Sequence, residues 1–572
     1  MTTVAEQIVD ALSQHKVTTA WGVVGDALNP ITDAIRRNDE IEWIGVRHEE
    51  AAAFAAGAQA QLTGRLGVCM GTVGPGSVHL LNGLYDAKKS HAPVLAICGQ
   101  VPTPDIGSDF FQEVNNDVLF SDVAVFAHTV TAASQMPYLL EQAVNAAMAE
   151  EGVAVLTVPG DVGSLDVENA RRPQFAPYAA PAAAPDVQVS AAADVLNEAE
   201  NVTLLVGMGA RDARGEVLEL AERLQSPMVV TLKAKEGLEK DNPYQVGQTG
   251  LIGNPAAAKA LDDADVLVML GTDFPYRNWY PKDKTVIQLD NRIEHIGRRV
   301  GVQHSLVGHV QPTVKELLKR LAGDRSAKHL EKARKSFATW QKHQNKLADP
   351  DHDDSILGKI RSIGDNPDER IRPEIVAAAL HEHAASDAIF TTDTGMSTVW
   401  LSRFVTMTGD RRLLGSYNLG SMANAMPQAL GAQALDRHRQ VIACCGDGGL
   451  MMLLGDLRTA VTYGLPVKFV VHNNGRLGMV KLEQEEGGLP EFGTELDNPN
   501  IAEVATAMGV KSTRVTDPDS LDDAVREALD TDGPVLLDVV TNPDEVSLPP
   551  KVTPAEAWGF AIAKSTEFIE SA

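Results

Sequence analysis

The chain has 572 residues, enough for about three domains at ~150 residues each. Its make-up, 44% hydrophobic and 22% charged, is that of an ordinary globular protein. A formal net charge of −27 argues against nucleic acid or an anionic membrane surface as a main partner and fits a solvated acidic surface. Cys69, Cys98, Cys444 and Cys445 all sit in apolar runs without metal-site spacing, so buried, reduced thiols in a cytoplasmic protein are expected. The N-terminus lacks a basic-then-apolar leader pattern, and no run approaches the ~18 apolar residues of a membrane span.

The first block, residues 1–175, alternates strand and helix patterns. Apolar runs at 66–70, 94–98 and 154–158 read as buried strands. Arg47-His48-Glu49-Glu50 precedes a run of small residues, 51–58, that predicts a helix able to pack very closely. A carboxylate at its start either serves the helix dipole or does chemistry from a strand-to-helix junction. The turn Gly71-Thr72-Val73-Gly74-Pro75-Gly76 leads to His79 and Asn82; its glycines allow a close backbone approach, and His79 reads equally well as a structural histidine. Residues 171–186 are rich in Pro and Ala and read as a linker.

The second block, 187–335, opens with a helix. Its strands end in Gly207-Met208-Gly209, in Gly271-Thr272-Asp273 and in Asp290, which suits an extended nucleotide at the strand ends. A lone Gly-x-Gly is weak by itself. A charged helical stretch, 327–346, follows, then polar, turn-rich linkers at 349–354 and 364–370.

The third block, 371–545, carries the sharpest signal. The apolar run 441–445 ends in Gly446-Asp447-Gly448; residues 450–463 are spaced like a helix; a second apolar run, 467–471, delivers Asn473-Asn474, with 24 residues between Gly448 and Asn473. Asp and Asn are hard oxygen donors placed at neighbouring strand ends, where ligands bind in parallel sheets. Two such oxygens completed by phosphate oxygens suit Mg²⁺. All three blocks read as parallel α/β units, and the first and third are candidates for one fold without visible sequence identity.

The GDG…NN pair resembles the thiamin diphosphate signature. That resemblance implies Asp447 and Asn474 as side-chain metal ligands and the carbonyl of Arg476 as a third. With Arg47-His48-Glu49-Glu50 and the small residues 51–58, Thr249-Gly250-Leu251-Ile252-Gly253, Phe274-Pro275-Tyr276-Arg277 and the stretch 420–432, the chain resembles the thiamin-diphosphate- and FAD-dependent pyruvate oxidase family in its quinone-dependent branch, over nearly its whole length. The resemblance implies three parallel-sheet α/β domains: a pyrimidine-binding domain at 1–175, an FAD-binding domain at 187–335 and a diphosphate- and Mg²⁺-binding domain at 371–545, with a short tail at 546–572. It implies Glu49 as the carboxylate that shares a proton with the cofactor's aminopyrimidine, so that the cofactor becomes a nucleophile. Phe111 and Gln112 fall at substrate-side positions, where the plainer reading is a surface or interface loop. Around thiamin diphosphate it implies Gly25, Asn82, Gly420, Ser421 and Met422, then Asp447, Gly448, Gly449, Asn474, Gly475, Arg476, Leu477, Gly478, Met479 and Val480. Met422, otherwise ordinary core filling, would prop the cofactor into its bent form. Around FAD it implies Gly207, Gly209, Gly250, Leu251, Ile252, Gly253, Gly271, Thr272, Asp273, Phe274, Arg277, Asp290 and Asn291.

The implied reaction is pyruvate to acetate and CO₂, with electrons passing through FAD to a quinone. Alternatives are an oxygen- and phosphate-dependent oxidase making acetyl phosphate, a non-redox acetolactate synthase, and a catalytically silent protein on the same fold. The family builds its site between two subunits, which implies a homo-oligomer, with a homotetramer expected. Two residues depart from the family pattern: His309 stands where Asp is common, and Met479 where the quinone-dependent branch has Phe. The tail, with Glu556, Glu567 and Glu570 against Lys564, reads as a helix packed on its own protein rather than a lipid-binding one, with at most peripheral membrane contact.

Overall fold

A computed structural model gives the fold and describes residues 2–167, 173–175, 180–323, 325–350, 366 and 370–545. The tail read at 546–572 lies outside these residues, as does most of the stretch 349–370. Three parallel sheets organise the described residues. The first runs Glu42–Gly45, Thr19–Gly22, Gly67–Gly71, Val94–Gln100, Val153–Pro159, Ala124–Thr129. The second runs Met228–Val230, Val202–Val206, Val266–Leu270, Thr285–Asp290, His304–Val307. The third runs Arg412–Gly415, Ile389–Thr392, Val441–Gly446, Lys468–Asn473, Val535–Val540, Lys511–Val515. Helices cover both faces of such sheets, so inner strands are buried throughout; every residue of Val94–Gln100 and Val153–Pro159 is.

The first and third sheets have one strand order: second, first, third, fourth, sixth, fifth in chain sequence. The helix after the second strand is Glu49–Thr63 in one and Ala425–Leu435 in the other, and these two helices pack against each other. Small residues make this possible. A Cβ at Gly431 would strike the Ala55 carbonyl oxygen, and one at Gly83 would press on Ala53 and Phe54. The Gln59 amide donates to the Gly431 carbonyl at 3.1 Å across the seam. Trp21, Ala52, Ala429, Ala443 and Phe469 therefore share one apolar core that spans both domains.

The second domain is keyed to both others by buried charge. Lys233 donates to Gln61 of the first domain at 2.8 Å, while Glu236 accepts from the Leu413 amide of the third at 2.9 Å. The charged stretch after it forms the helix Lys328–Leu347, packed on Pro255–Asp262.

One expectation fails. Residues 450–463 are not one helix but Asp447–Met452, a tight turn Leu454–Asp456 and Leu457–Thr462. Gly455 weakens the helix, and Asp456 is drawn off to accept the Arg47 amide of the first domain at 2.8 Å and the Thr459 hydroxyl at 2.8 Å. Among the described residues no helix is long and apolar enough to cross a membrane.

Candidate active site

In the first domain, Glu49 opens its helix at 7% exposure, and His48 caps that helix by accepting the Glu50 amide at Nδ1. Glu49 Oε2 lies 2.9 Å from His79 Nδ1, and the two imidazoles stack at 4.4 Å. A Cβ on Gly76 would come 3.2 Å from Glu49 Oε1, so the glycine turn supports the carboxylate directly. Gly25 packs on Thr72 of that turn. Gly74 takes a positive φ of 64° beneath the Gln112 backbone, and Gln112 itself is at 68°. Phe111 beside it is 78% exposed. These residues thus share one end of the first sheet, with Phe111 projecting from it. Asn82 stands apart: its amide bridges Glu50 at 2.7 Å and Ser421 of the third domain at 2.9 Å.

In the third domain, Asp447 follows Val441–Gly446 and Asn474 follows Lys468–Asn473, the adjacent strand. Asp447 Oδ2 accepts the Gly475 amide at 3.0 Å, which holds it beside Asn474. Asn474 Oδ1 accepts the Arg476 amide at 3.0 Å. The Arg476 side chain turns away to Glu491 and Glu495, leaving its backbone at the site. A Cβ at Gly478 would sit 2.9 Å from Met396 and 3.0 Å from the Asn474 amide, so only glycine fits there easily. A Cβ at Gly448 would meet Leu477, Leu496 and Met422, the apolar wall over the turn. Gly449 packs on Asp393, Gly420 has φ 78°, and Val480 is exposed.

Burial pushes the Asp447 carboxyl up to about 6, against hydrogen bonds from Asn498 and the Gly448 and Gly475 amides that stabilise its charge. Asn498 donates to Oδ2 at 2.6 Å. Among the described residues no lysine, arginine or histidine pairs with it. A buried carboxylate without a cation, beside a second hard oxygen, fits Mg²⁺. Two residues escaped the sequence reading. Asn498 lies 51 positions away, with no local pattern to mark it. Asp393 accepts the Ala425 and Gly446 amides at 2.9 and 3.2 Å, and burial pushes it up to about 7. It follows the apolar strand Ile389–Thr392, a strand-end signal that could have found it.

In the second domain, Gly207 and Gly209 press on Gly271 and Thr272, so these glycines first serve to let two strand-end turns touch. Gly250, at φ 92°, lies under the rings of Phe274 and Tyr276, and Gly253 folds back on Thr249. Thr249 is buried with its hydroxyl unpartnered, which leaves one polar group for a ligand such as FAD. Burial opposes the Asp273 charge, but His91 and Arg299 hold its carboxyl down at about 2. Asp290 is buried and accepts the Arg292 amide at 2.9 Å; Asn291 beside it is exposed, and Arg277 opens a short turn. Leu251 is half-buried, while Ile252 packs, with Met479, against the third domain's core. Tyr276 feels the charge of Glu483, from the helix that begins at Gly478. Ile252 of the second domain and Met479 of the third thus lie on one apolar core. His309 does something else: its Nδ1 accepts the Ala182 amide at 3.1 Å and its own amide donates to the Ala182 carbonyl at 2.9 Å, clamping the interdomain segment.

Among the described hydrogen bonds and ion pairs, Glu49 has its partner, His79, inside the first domain; none joins it to Asp447, Asn474 or Met422.

Three family models match the chain: the thiamine pyrophosphate enzyme N-terminal TPP binding domain at residues 2–119, the central domain at 189–317 and the C-terminal TPP binding domain at 393–539. A putative thiamine pyrophosphate-containing protein, YdaP, of Bacillus subtilis is 37% identical over 573 residues, covering 100% of this chain and 96% of its own. Pyruvate oxidase of Lactiplantibacillus plantarum is 31% identical over 94% of this chain and 88% of its own. Acetolactate synthase isozyme 2 large subunit of Escherichia coli is 30% identical over 94% and 95%.

Proposed function

The chain belongs to the thiamine pyrophosphate enzyme family, and within it we propose that it oxidises pyruvate to acetate and CO₂ and passes the two electrons through FAD to a quinone. In balance, pyruvate, water and quinone give acetate, CO₂ and quinol. The observation that supports this reading is that Ile252, in the glycine turn of the second domain, packs on the third domain's core, the same core on which Met479 packs. A flavin held at that turn would face the third domain and its decarboxylating centre.

When bound, thiamin diphosphate supplies the electron sink for loss of CO₂, and FAD the acceptor for the electron pair. The chain's residues do the rest. Glu49, buried and held by His79, shares and returns a proton at its Oε atoms. Asp447, Asn474 and the Arg476 carbonyl would hold Mg²⁺ and through it the diphosphate. Met422, over Gly448, is placed to shape the cofactor, and Phe111 and Gln112 to close on the substrate. Glu49 and Asp447 come together when a second copy supplies the missing half, so the enzyme works as a homo-oligomer, at least a dimer.

The test is to add pyruvate anaerobically to protein loaded with thiamin diphosphate, Mg²⁺ and FAD, and to follow flavin absorbance. Rapid bleaching reversed by a quinone is expected. An unbleached flavin with acetolactate as product would favour the second reading, which the acetolactate synthase likeness keeps in play. Acetyl phosphate formed only with phosphate and oxygen would mark the third.

A further inference from the structure

We propose that His48, Glu49 and His79 form a binding site for a transition-metal cation of the Zn²⁺ class, and that this cation and activation by Glu49 exclude each other. The three side chains each bring one ligand atom within 4.8 Å of the others, the one group of this kind among the described residues. Two imidazoles and a carboxylate are the donors that Zn²⁺ and its neighbours prefer over Mg²⁺. His79 Nδ1 and Glu49 Oε2 already stand 2.9 Å apart; the His48 and His79 rings lie face to face at 4.4 Å and 24°, so one ring turns about its side-chain bonds to aim its in-plane lone pair at the ion. Ligand atoms around a tetrahedral Zn²⁺ at ~2.1 Å are roughly 3.4 Å apart, and these lie within 4.8 Å, so the ring rotation and a modest closing of the three side chains complete the set.

Access and charge point the same way. In the single chain the Glu49 side chain is 10% exposed and that of His79 43%, so a cation reaches Glu49 past His79 and meets a carboxylate whose ion-pair partner among the described residues is His79. The fourth position stays open to water, as in sites with three protein ligands. The exclusion rests on the role given to Glu49 above; the metal site rests on geometry alone. A carboxylate coordinated to Zn²⁺ has no proton to share, so the cation would hold the enzyme inactive until cofactor displaces it.

The experiment uses the full chain freed of thiamin diphosphate, with excess Mg²⁺ to occupy the all-oxygen site. Co²⁺ is titrated and its visible d–d absorption followed; Zn²⁺ is then titrated by calorimetry. One equivalent per chain is expected, with affinity lower by at least about tenfold in His79→Gln and in His48→Asn. Asn is a good helix cap, so the second variant removes the ligand and keeps the helix start. Thiamin diphosphate with Mg²⁺ should abolish the Co²⁺ spectrum. No binding, or binding unchanged in both variants, would overturn the site. A Co²⁺ spectrum that persists under saturating cofactor would overturn the exclusion. Neither readout needs pyruvate or turnover, so failure here is distinct from failure of the oxidase reading.

Discussion

The first and third domains share a strand order and differ in where they keep their acids. After the second strand, the first domain starts its helix with Glu49 and the third with Ala425. After the third strand, the first has Gly71-Thr72 and the third Gly446-Asp447. After the fourth, the first has Gln100-Val101 and the third Asn473-Asn474. Each position that carries Glu49, Asp447 or Asn474 in one domain carries a small or uncharged residue in the other. On the function proposed above, one frame serves two tasks, holding a proton and holding a metal-bound anion. The chemistry sits in strand-end substitutions and the core stays common.

The largest blow to this division is Glu49→Gln. Pyruvate-dependent flavin reduction should fall by ~10²–10⁴-fold, with thiamin diphosphate binding nearly unchanged, as stopped-flow and calorimetry would read. Equal loss of cofactor binding would mean Glu49 anchors rather than activates. Next, Asp447→Asn should weaken Mg²⁺-dependent cofactor binding by at least about tenfold and leave flavin content intact.

pH sharpens the same contrast. The Asp447 carboxyl is held up, so below about 6 it is protonated and a cation must displace the proton. Mg²⁺ affinity should therefore drop by about tenfold per pH unit below that value, and Asp447→Asn should flatten the profile. The stability sign follows. A raised acid favours the fold when protonated, so the cation-free protein loses stability as pH rises from the ordinary carboxylate range through about 6, and Mg²⁺ with cofactor restores it. Thermal melts of wild type and Asp447→Asn across that window would show it. The smallest effect expected is from Gly431→Ala: its new Cβ strikes the Ala55 carbonyl, costing about 1–3 kcal/mol of overpacking while both halves keep their geometry.

Much of the frame was legible because strands buried on both faces are rich in consecutive apolar residues: Val441–Gly446 is such a run, and Lys468–Asn473 keeps one in Phe469-Val470-Val471. Asp447 and Asn474 were legible for the same reason, each following its strand directly. What sequence could not give depends on approach between distant segments. Asn498 reaches Asp447 across a loop, Asn82 reaches Ser421 across a domain seam, and Asp456 breaks its own helix to hold the Arg47 amide. Periodicity records which face of an element is buried, and none of these contacts leaves a mark on it.

The central claim is that the activating and anchoring halves are built separately and meet between copies. Mixing Glu49→Gln and Asp447→Asn chains, at a thiamin diphosphate concentration too low to load the second variant alone, tests it through anaerobic flavin reduction by pyruvate. If sites form between copies, mixed dimers each hold one intact site, and random re-association should restore about a quarter of the wild-type signal. If the mixture stays as inactive as its components, both halves act within one chain and the account is wrong.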